Sequence, residues 1–379
     1  MQNFAKYSAK NSITELKNRH AVNQNMALQL LSSDIKWLLS TASQLRDLGH
    51  GRTITYSRKV FLAITSLCSD RCAYCGYRKE PEEGGGYIGE EEVIKLIQAG
   101  RSLGCTEALI MAGERPESKY VQARAFLRKK GVNSTVGYAY HIAELTLNYG
   151  LIPHINMGVL SANEMKKLKE VSASIGLMLE STSLKLLEPG GVHHFSPSKN
   201  PRLRTRMMEI AGKLRIPFTT GIILGIGERP KDIIDSIFVI KRLNEKFGHV
   251  QEVIIQPFRP EKGTPMEKAQ GPSPEMVQRV IAVARIVLGP NMNIQSPPNL
   301  VPDCKSIVDA GANDLGGISP LTKDYVNQDY PWPGIEALCQ ECHHSGFILK
   351  NRLPIYPEFA SREGFMSGRI MALLNRRGN

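Results

Sequence analysis

The feature that most restricts the fold is an alternation. From residue 52 onward, short apolar runs of strand character take turns with longer segments of helical period. The runs are VFLAITS (60–66), EALIMAG (107–113), LIPHIN (151–156), SIGLMLES (174–181), FTTGIIL (218–224) and VQEVIIQ (250–256). NMNIQ (291–295) and NDLGGIS (313–319) are weaker candidates. Apolar runs bounded by turn residues suit strands buried on both faces, and helices between them supply the crossovers that parallel pairing needs. EEEVIKLIQAGRSLG opens with acids and stops at Gly104, and a helix is expected up to about residue 130. SANEMKKLKEV places Ser161 three residues before Glu164, a capping box. Helices are also expected over 201–214, KDIIDSIFVIKRLNEKFG, PEMVQRVIAVARIVL and about 334–345. The chain is therefore read as α/β, a (β/α)8 barrel of the TIM type, complete or nearly so. Residues 1–51 are expected to form a helical N-terminal extension, with Ile35, Leu38, Leu39, Ala42 and Leu45 on one face. The barrel is assigned to 52–350 and a C-terminal tail to 351–379.

Between the first strand and the next helix lies TSLCSDRCAYCGYRK, with Cys68, Cys72 and Cys75 in the spacing CxxxCxxC. Three thiolates this close can each bind a different iron of a 4Fe–4S cube, leaving the fourth iron open to an amino acid's amino and carboxylate groups. Half a zinc site or three buried thiols would be the bland alternative. Zinc prefers paired CxxC or CxxH spacing, and that pairing is absent.

Seven cysteines, an odd number, do not read as a secreted disulfide framework and suit a reducing cytoplasm. No run of eighteen apolar residues exists and MQNFAKYSAKNS lacks a signal-like pattern, so neither a membrane span nor export is expected. The net charge of +12 is scattered, apart from RKK at 128–130 and the closing NRRGN. It reads as a basic solvated surface in preference to a nucleic-acid footprint.

In a barrel of this class chemistry sits at the C-terminal strand ends. Cys68, Glu114, Asn156, Glu180, Ser181, Gln256 and Gln295 fall there. A ring of polar groups closing apolar strands points to a polar ligand, because such groups cost free energy unless they are bonded. The fifth strand carries Gly221, Ile223, Gly225 and Glu228 in the order GxIxGxxE.

This pattern, the cysteine spacing and Tyr74 before the third cysteine together resemble the radical S-adenosylmethionine (SAM) enzymes. The resemblance implies a 4Fe–4S cluster on Cys68, Cys72 and Cys75. It implies SAM contacts by Tyr74, Glu114 in an AGE variant of a GGE element, Glu180, Ser181, Gly221, Ile223, Gly225 and Glu228. Arg204 is a candidate partner for the SAM carboxylate, against the plainer reading of an exposed helix arginine. Longer stretches go further: GRTITYSRKVF, MAGERPE, PHINMGVLS, LEPGGVHHFSPSKNP, IIQPFRPEKGTPM, IQSPPNLVP, GANDLGGISPLTKDYVNQDYPWP and LPIYPEF. Over roughly 52–360 they are similar to the ring-closing CofG subunits of deazaflavin (FO) synthase.

That likeness implies a lyase. Reductive SAM cleavage gives a 5′-deoxyadenosyl radical, a 5-amino-5-(4-hydroxybenzyl)-6-(ribitylimino)-dihydrouracil loses hydrogen to it, the central ring closes and ammonia leaves. It also implies a one-electron donor and a functional partner subunit that couples tyrosine to a ribityl diaminouracil. Tyr77, Asn156, Gln256, Arg259, Gln295 and Asn313 become candidate substrate contacts, and His193 or Asp314 candidate proton carriers. Rival readings are the partner subunit itself, a futalosine-cyclising enzyme, a sulfur-inserting enzyme with an auxiliary cluster, and a non-catalytic metal scaffold. Cys304, Cys339 and Cys342, with His343 and His344, are read as ordinary thiols and surface histidines, against a second metal site.

Overall fold

The computed structural model describes residues 22–375; the first part of the expected N-terminal extension and the end of the tail lie outside them. Two helices lead in, α1 (Gln24–Leu30) and α2 (Ile35–His50). Asp34 starts α2 by accepting from the Trp37 amide at 2.8 Å, and Leu38 and Ala42 on the anticipated face are buried.

The barrel follows in order. β1 (Thr53–Thr65), α3 (Glu90–Ser102), β2 (Glu107–Ala112), α4 (Pro116–Lys119), α5 (Val121–Lys129) and α6 (Thr135–Asn148) form its first part. β3 (Ile152–Met157), α7 (Ala162–Val171), β4 (Ser174–Gly176), α8 (Pro201–Lys213), β5 (Phe218–Leu224) and α9 (Pro230–Phe247) continue it. β6 (Val250–Pro257), α10 (Pro274–Leu288), β7 (Ile294–Gln295), α11 (Cys304–Asp309) and β8 (Asp314–Ile318) complete it. Strands pair in sequence order, all parallel, and β1 closes the ring by pairing with both β8 and β2. The expected (β/α)8 barrel is complete. The capping box of α7 forms as read, with Ser161 and Glu164 exchanging bonds. No described helix is long and apolar enough to cross a membrane.

Three features differ from the sequence reading. α6 was not anticipated. It buries Val136, Tyr138, Ala139, Ile142, Ala143 and Leu147, so its apolar face is too broad for a clear amphipathic period. β4 has regular pairing over only three residues; the expected 174–181 run continues as extended chain that bridges β5 once, at Glu180 and Ile222. The chain after 350 is no loose tail. After α12 (Ile335–His344), β9 (Ile348–Asn351) adds to β1, and α13 (Pro357–Ala360) and α14 (Gly368–Asn375) follow. Ile355, Tyr356, Phe359, Phe365 and Ile370 are buried with the main core.

The barrel floor is polar. Lys59 of β1 pairs with Glu107 of β2 at 2.8 Å. Arg352, just past β9, reaches Asp314 of β8 at 2.6 Å and Glu252 of β6 at 2.7 Å. Burial pushes Glu252 up to about 7, while Arg352 holds Asp314 below its ordinary range against the same burial.

Candidate active site

β1 delivers the cysteine loop to the barrel mouth, and the loop is fastened on two sides. Toward β2, the Glu114 amide donates to Cys68 Sγ at 3.1 Å, Ser69 N–H donates to the Glu114 carbonyl at 2.8 Å, and the Tyr120 hydroxyl donates to the Cys68 carbonyl at 3.1 Å. Toward the β4–α8 loop, Arg71 N–H donates to the Phe195 carbonyl at 3.0 Å and Ala73 N–H to the Val192 carbonyl at 2.9 Å. The Tyr74 hydroxyl and His193 Nε2 lie 2.8 Å apart. Burial, reinforced by Lys199, lowers His193 to about 3, so its ring is neutral at neutral pH.

Cys68, Cys72 and Cys75 are unpaired and half-buried. Burial pushes the Cys68 thiol up to about 12 and the Cys72 thiol to about 11. Among the described residues no three His, Cys, Asp or Glu side chains converge as for a single metal ion. Three free thiols on one loop, with an amide aimed at one sulfur, fit the donor set of an iron–sulfur cube, where each thiolate takes its own iron.

Beside the cysteines, Tyr74, Ile223, Leu186, Ile226 and Phe258 form a small apolar cluster against which Cys72 and Cys75 pack. Glu180 borders it, buried, at φ +66°. Its Oε1 takes an ion pair from Lys199 and lies 3.5 Å from Arg204 Nη1, while Oε2 is buried with no partner among the described residues. Burial opposes its charge, yet Lys199 and Arg204 outweigh it and keep Glu180 below the usual carboxylate range. An orphaned anionic oxygen beside the cysteines fits a ligand that brings hydroxyl or ammonium donors. Ser181 is buried next to it, and its Oγ accepts from Ser183 N–H at 3.1 Å. Glu114, pushed up by burial, accepts from the Val159 amide at 2.8 Å.

Comparison with known proteins supplies the rest. The Radical SAM superfamily pattern matches residues 62–240. A 7,8-didemethyl-8-hydroxy-5-deazariboflavin synthase of Methanopyrus kandleri is 44% identical over 326 residues, covering 85% of this chain and 97% of that protein. A namesake in Methanothermobacter thermautotrophicus is 45% identical, covering 84% and 96%. The chain belongs to the 7,8-didemethyl-8-hydroxy-5-deazariboflavin (FO) synthase family. It is thus a radical SAM enzyme of FO biosynthesis, and the family implies a 4Fe–4S cluster, SAM and small-molecule substrates. An FO synthase of Mycobacterium leprae is 42% identical over 88% of this chain, but the match spans only 41% of that protein. In fold, the chain resembles the FeFe-hydrogenase maturase HydG from Carboxydothermus hydrogenoformans (TM-score 0.74, 19% identity, 91% of this chain and 80% of that one). It also resembles methylornithine synthase (TM-score 0.70, 17% identity, 89% and 97%).

In this FO synthase family member several expected site residues have other work. Asn313 is spent on the barrel floor: its Oδ1 accepts from Arg285 at 2.7 Å and from the Ile294 amide at 2.8 Å, and its Nδ2 donates to Asn293 at 3.0 Å. Asp314 is fixed by Arg352 and Thr55 in the same region as Lys59. Lys59 lies six residues before the end of β1, roughly 20 Å below the cysteine loop. Asp314 opens β8 instead of closing it, so the strand-end logic does not carry it to the mouth. Tyr77 is buried with its hydroxyl on the Thr65 carbonyl, which braces the loop. His193 shares a bond with the Tyr74 hydroxyl, and burial keeps its ring neutral.

The GxIxGxxE residues are largely self-satisfying. Glu228 accepts from the amides of Gly225 and Ile226 at 2.7 and 2.9 Å. Gly225 has φ +88° with Pro272 packed against it, and a Cβ on Gly221 would meet the Ile254 carbonyl at 2.2 Å. Arg259 gives its Nε to the Leu300 carbonyl at 2.7 Å. Arg204, the candidate SAM-carboxylate partner, is not the exposed helix arginine of the plainer reading: it is buried and donates to the carbonyls of Met178 and Ser198.

Asn156, Gln256 and Gln295 are different. Among the described residues their side-chain amides bond to no protein group, and they share sheet faces with His154, Glu252 and Asp314, which line the interior. Two residues escaped the sequence reading. Lys199 sits in SPSKNP and looks like an exposed loop lysine, but the chain between Pro197 and Pro201 turns it inward onto Glu180. Asp70, between two of the cysteines, is buried with Oδ1 unpartnered among the described residues; a charge inside the cysteine spacing was its one signal. The thiols of Cys304 and Cys342 are both buried and Cys339 is exposed, and no described metal-binding group includes them.

Proposed function

We propose that the chain is the ring-closing FO synthase, a carbon–nitrogen lyase that converts 5-amino-5-(4-hydroxybenzyl)-6-(D-ribitylimino)-5,6-dihydrouracil to 7,8-didemethyl-8-hydroxy-5-deazariboflavin with loss of ammonia. The observation that carries this reading is the match over almost the full length of proteins named for that product. The mycobacterial FO synthases extend well beyond the matched portion, and we assign the tyrosine-coupling step to that remainder and, here, to a partner subunit.

When bound, the cluster and SAM supply reductive SAM cleavage and, through it, hydrogen abstraction from the substrate. Cys68, Cys72 and Cys75 would hold the cluster. Glu180 through its orphaned Oε2, Ser181, Glu114 and the β5 backbone near Ile223 would position SAM, with Lys199 and Arg204 fixing Glu180. Tyr74 would close the pocket beside them. Asn156, Gln256 and Gln295 each offer a donor and an acceptor, which suits a uracil edge and a ribityl chain, and the terminal guanidinium nitrogens of Arg259 bond to none of the described residues. The barrel interior would exclude water from the reacting carbons.

The test is product analysis under anaerobic reducing conditions. With SAM and the hydroxybenzyl–ribityl adduct, the chain alone should form 5′-deoxyadenosine, methionine, ammonia and a fluorescent deazaflavin. With tyrosine and the ribityl diaminouracil it should form deazaflavin only once the partner subunit is added. Consumption of tyrosine by the chain alone would reassign it to the coupling step.

A further inference from the structure

Phe61 of β1 faces the barrel interior. It shares its strand face with Lys59 of the floor, whose ammonium lies 5.9 Å from the Phe61 ring, and it pairs across the sheet with Leu109 of β2. Above the charged floor the interior therefore turns apolar. Trp332 reaches this layer from the chain after β8: its indole stacks on the Phe61 ring, with centroids 5.3 Å and planes 18° apart. The segment that carries it, residues 319–334, is tied to three sides of the mouth. Phe61 N–H donates to Thr322 Oγ1 at 3.0 Å. Gln328 Nε2 donates to the carbonyl of Gly76, just past the third cysteine, at 2.8 Å, and Asn299 Nδ2 to the Tyr330 carbonyl at 3.0 Å. Yet Trp332 Nε1 is buried with no hydrogen-bond partner among the described residues. Trp37 Nε1 is orphaned too, but Trp37 lies in α2, outside the strand ring.

A buried N–H without an acceptor costs free energy, which an incoming oxygen would recover. What each end of the substrate must bond narrows where that oxygen comes from. The adduct has a uracil edge and a ribityl chain with many polar atoms, and a hydroxybenzyl ring with one oxygen. Asn156 is in register with Met111, and Met111 with Ala63, the next inward residue of β1 after Phe61. Asn156 therefore lies two strands round from Phe61, roughly 10 Å, and one pleat, roughly 7 Å, nearer the mouth. The interior amides suit the polar end, and an aromatic stack with a single donor suits the phenol. We propose that Trp332, backed by Phe61, binds the 4-hydroxybenzyl ring of the substrate and donates its Nε1–H to the phenol oxygen. The proposal rests on the ring-closing reading above and assigns the residue that recognises the hydroxyl.

The test measures binding without turnover, on the reconstituted full chain with SAM and no reductant. Two ligands are titrated by calorimetry: the hydroxybenzyl adduct and its benzyl analogue, which lacks the phenol oxygen. Trp332→Phe keeps an aromatic ring and drops the N–H. It should weaken binding of the adduct about five- to tenfold and leave binding of the analogue unchanged. Its melting temperature should match the parent's, because the donor removed is unpaired in the free protein. Trp37→Phe, which removes the other orphaned indole N–H, should bind both ligands as the parent does. In that variant Trp332 is the one remaining tryptophan, and its emission should change saturably with the adduct. Equal weakening for both ligands in Trp332→Phe would make the indole a support of the loop and overturn the hydrogen bond. Unchanged adduct affinity in Trp332→Phe, with the parent still forming deazaflavin, would overturn the role of Trp332 and leave the ring-closing reading standing. A parent that neither binds nor converts the adduct would overturn that reading and the proposal with it.

Discussion

At Gly225 a Cβ would come within 2.6 Å of Pro272 Cδ, and the backbone there has a left-handed φ. Both facts concern the fold of the loop before any ligand arrives. Gly225→Ala should therefore cost about 1–3 kcal/mol of stability through strain and a displaced proline. The melting temperature should fall first, with any loss of SAM affinity following from the distorted loop. A variant with the parent's melting temperature and weakened SAM binding would show that the glycine serves the ligand directly. The three cysteines were readable because covalent spacing alone limits what they can hold. Lys199 was not, because its burial depends on a loop path that two prolines impose in three dimensions. The burial of Arg204 was not legible for a related reason: a helix position says which face a side chain takes, not what packs over it.

Among the elements, the strands and long helices were legible from apolar runs and caps, with β5 and α10 at their expected limits. The chain from Leu177 to Asn200 was not, since its form is set by contacts with distant segments. The Tyr74–His193 bond is one side-chain link across that seam, buried and formed between neutral partners, beside the bond from Ser198 Oγ to Asp70 Oδ2. Tyr74→Phe removes the hydroxyl and leaves His193 Nε2 unpaired, at a cost of about 1–2 kcal/mol. The variant should still take up iron on reconstitution but lose it several-fold faster to a chelator, because the loop opens more often. Equal chelation rates would mean that the backbone bonds of Arg71 and Ala73 and the Ser198–Asp70 bond hold the seam without it.

For the whole molecule, the barrel floor decides how the C-terminal segment is to be understood. Arg352 joins that segment to β6 and β8 by bonding Glu252 and Asp314, and its guanidinium lies 4.4 Å from the Tyr356 ring. No strand-end rule predicts this, because the arginine arrives from beyond the eighth strand and the acids sit at strand beginnings. Arg352→Met would leave two buried carboxylates without their counter-ion, and removing one partner of a buried pair costs about 3–5 kcal/mol. The denaturation midpoint should fall accordingly, and β9 should lose amide protection with it. Adding Asp314→Asn and Glu252→Gln should recover part of the loss, since neutral amides can pair where stranded charges cannot. The same series separates a structural from a catalytic Asp314. Asp314→Asn should lower stability and leave the pH profile of turnover in the parent's shape. If instead stability holds while one limb of that profile disappears, Asp314 moves protons in the reaction and the floor is part of the active site.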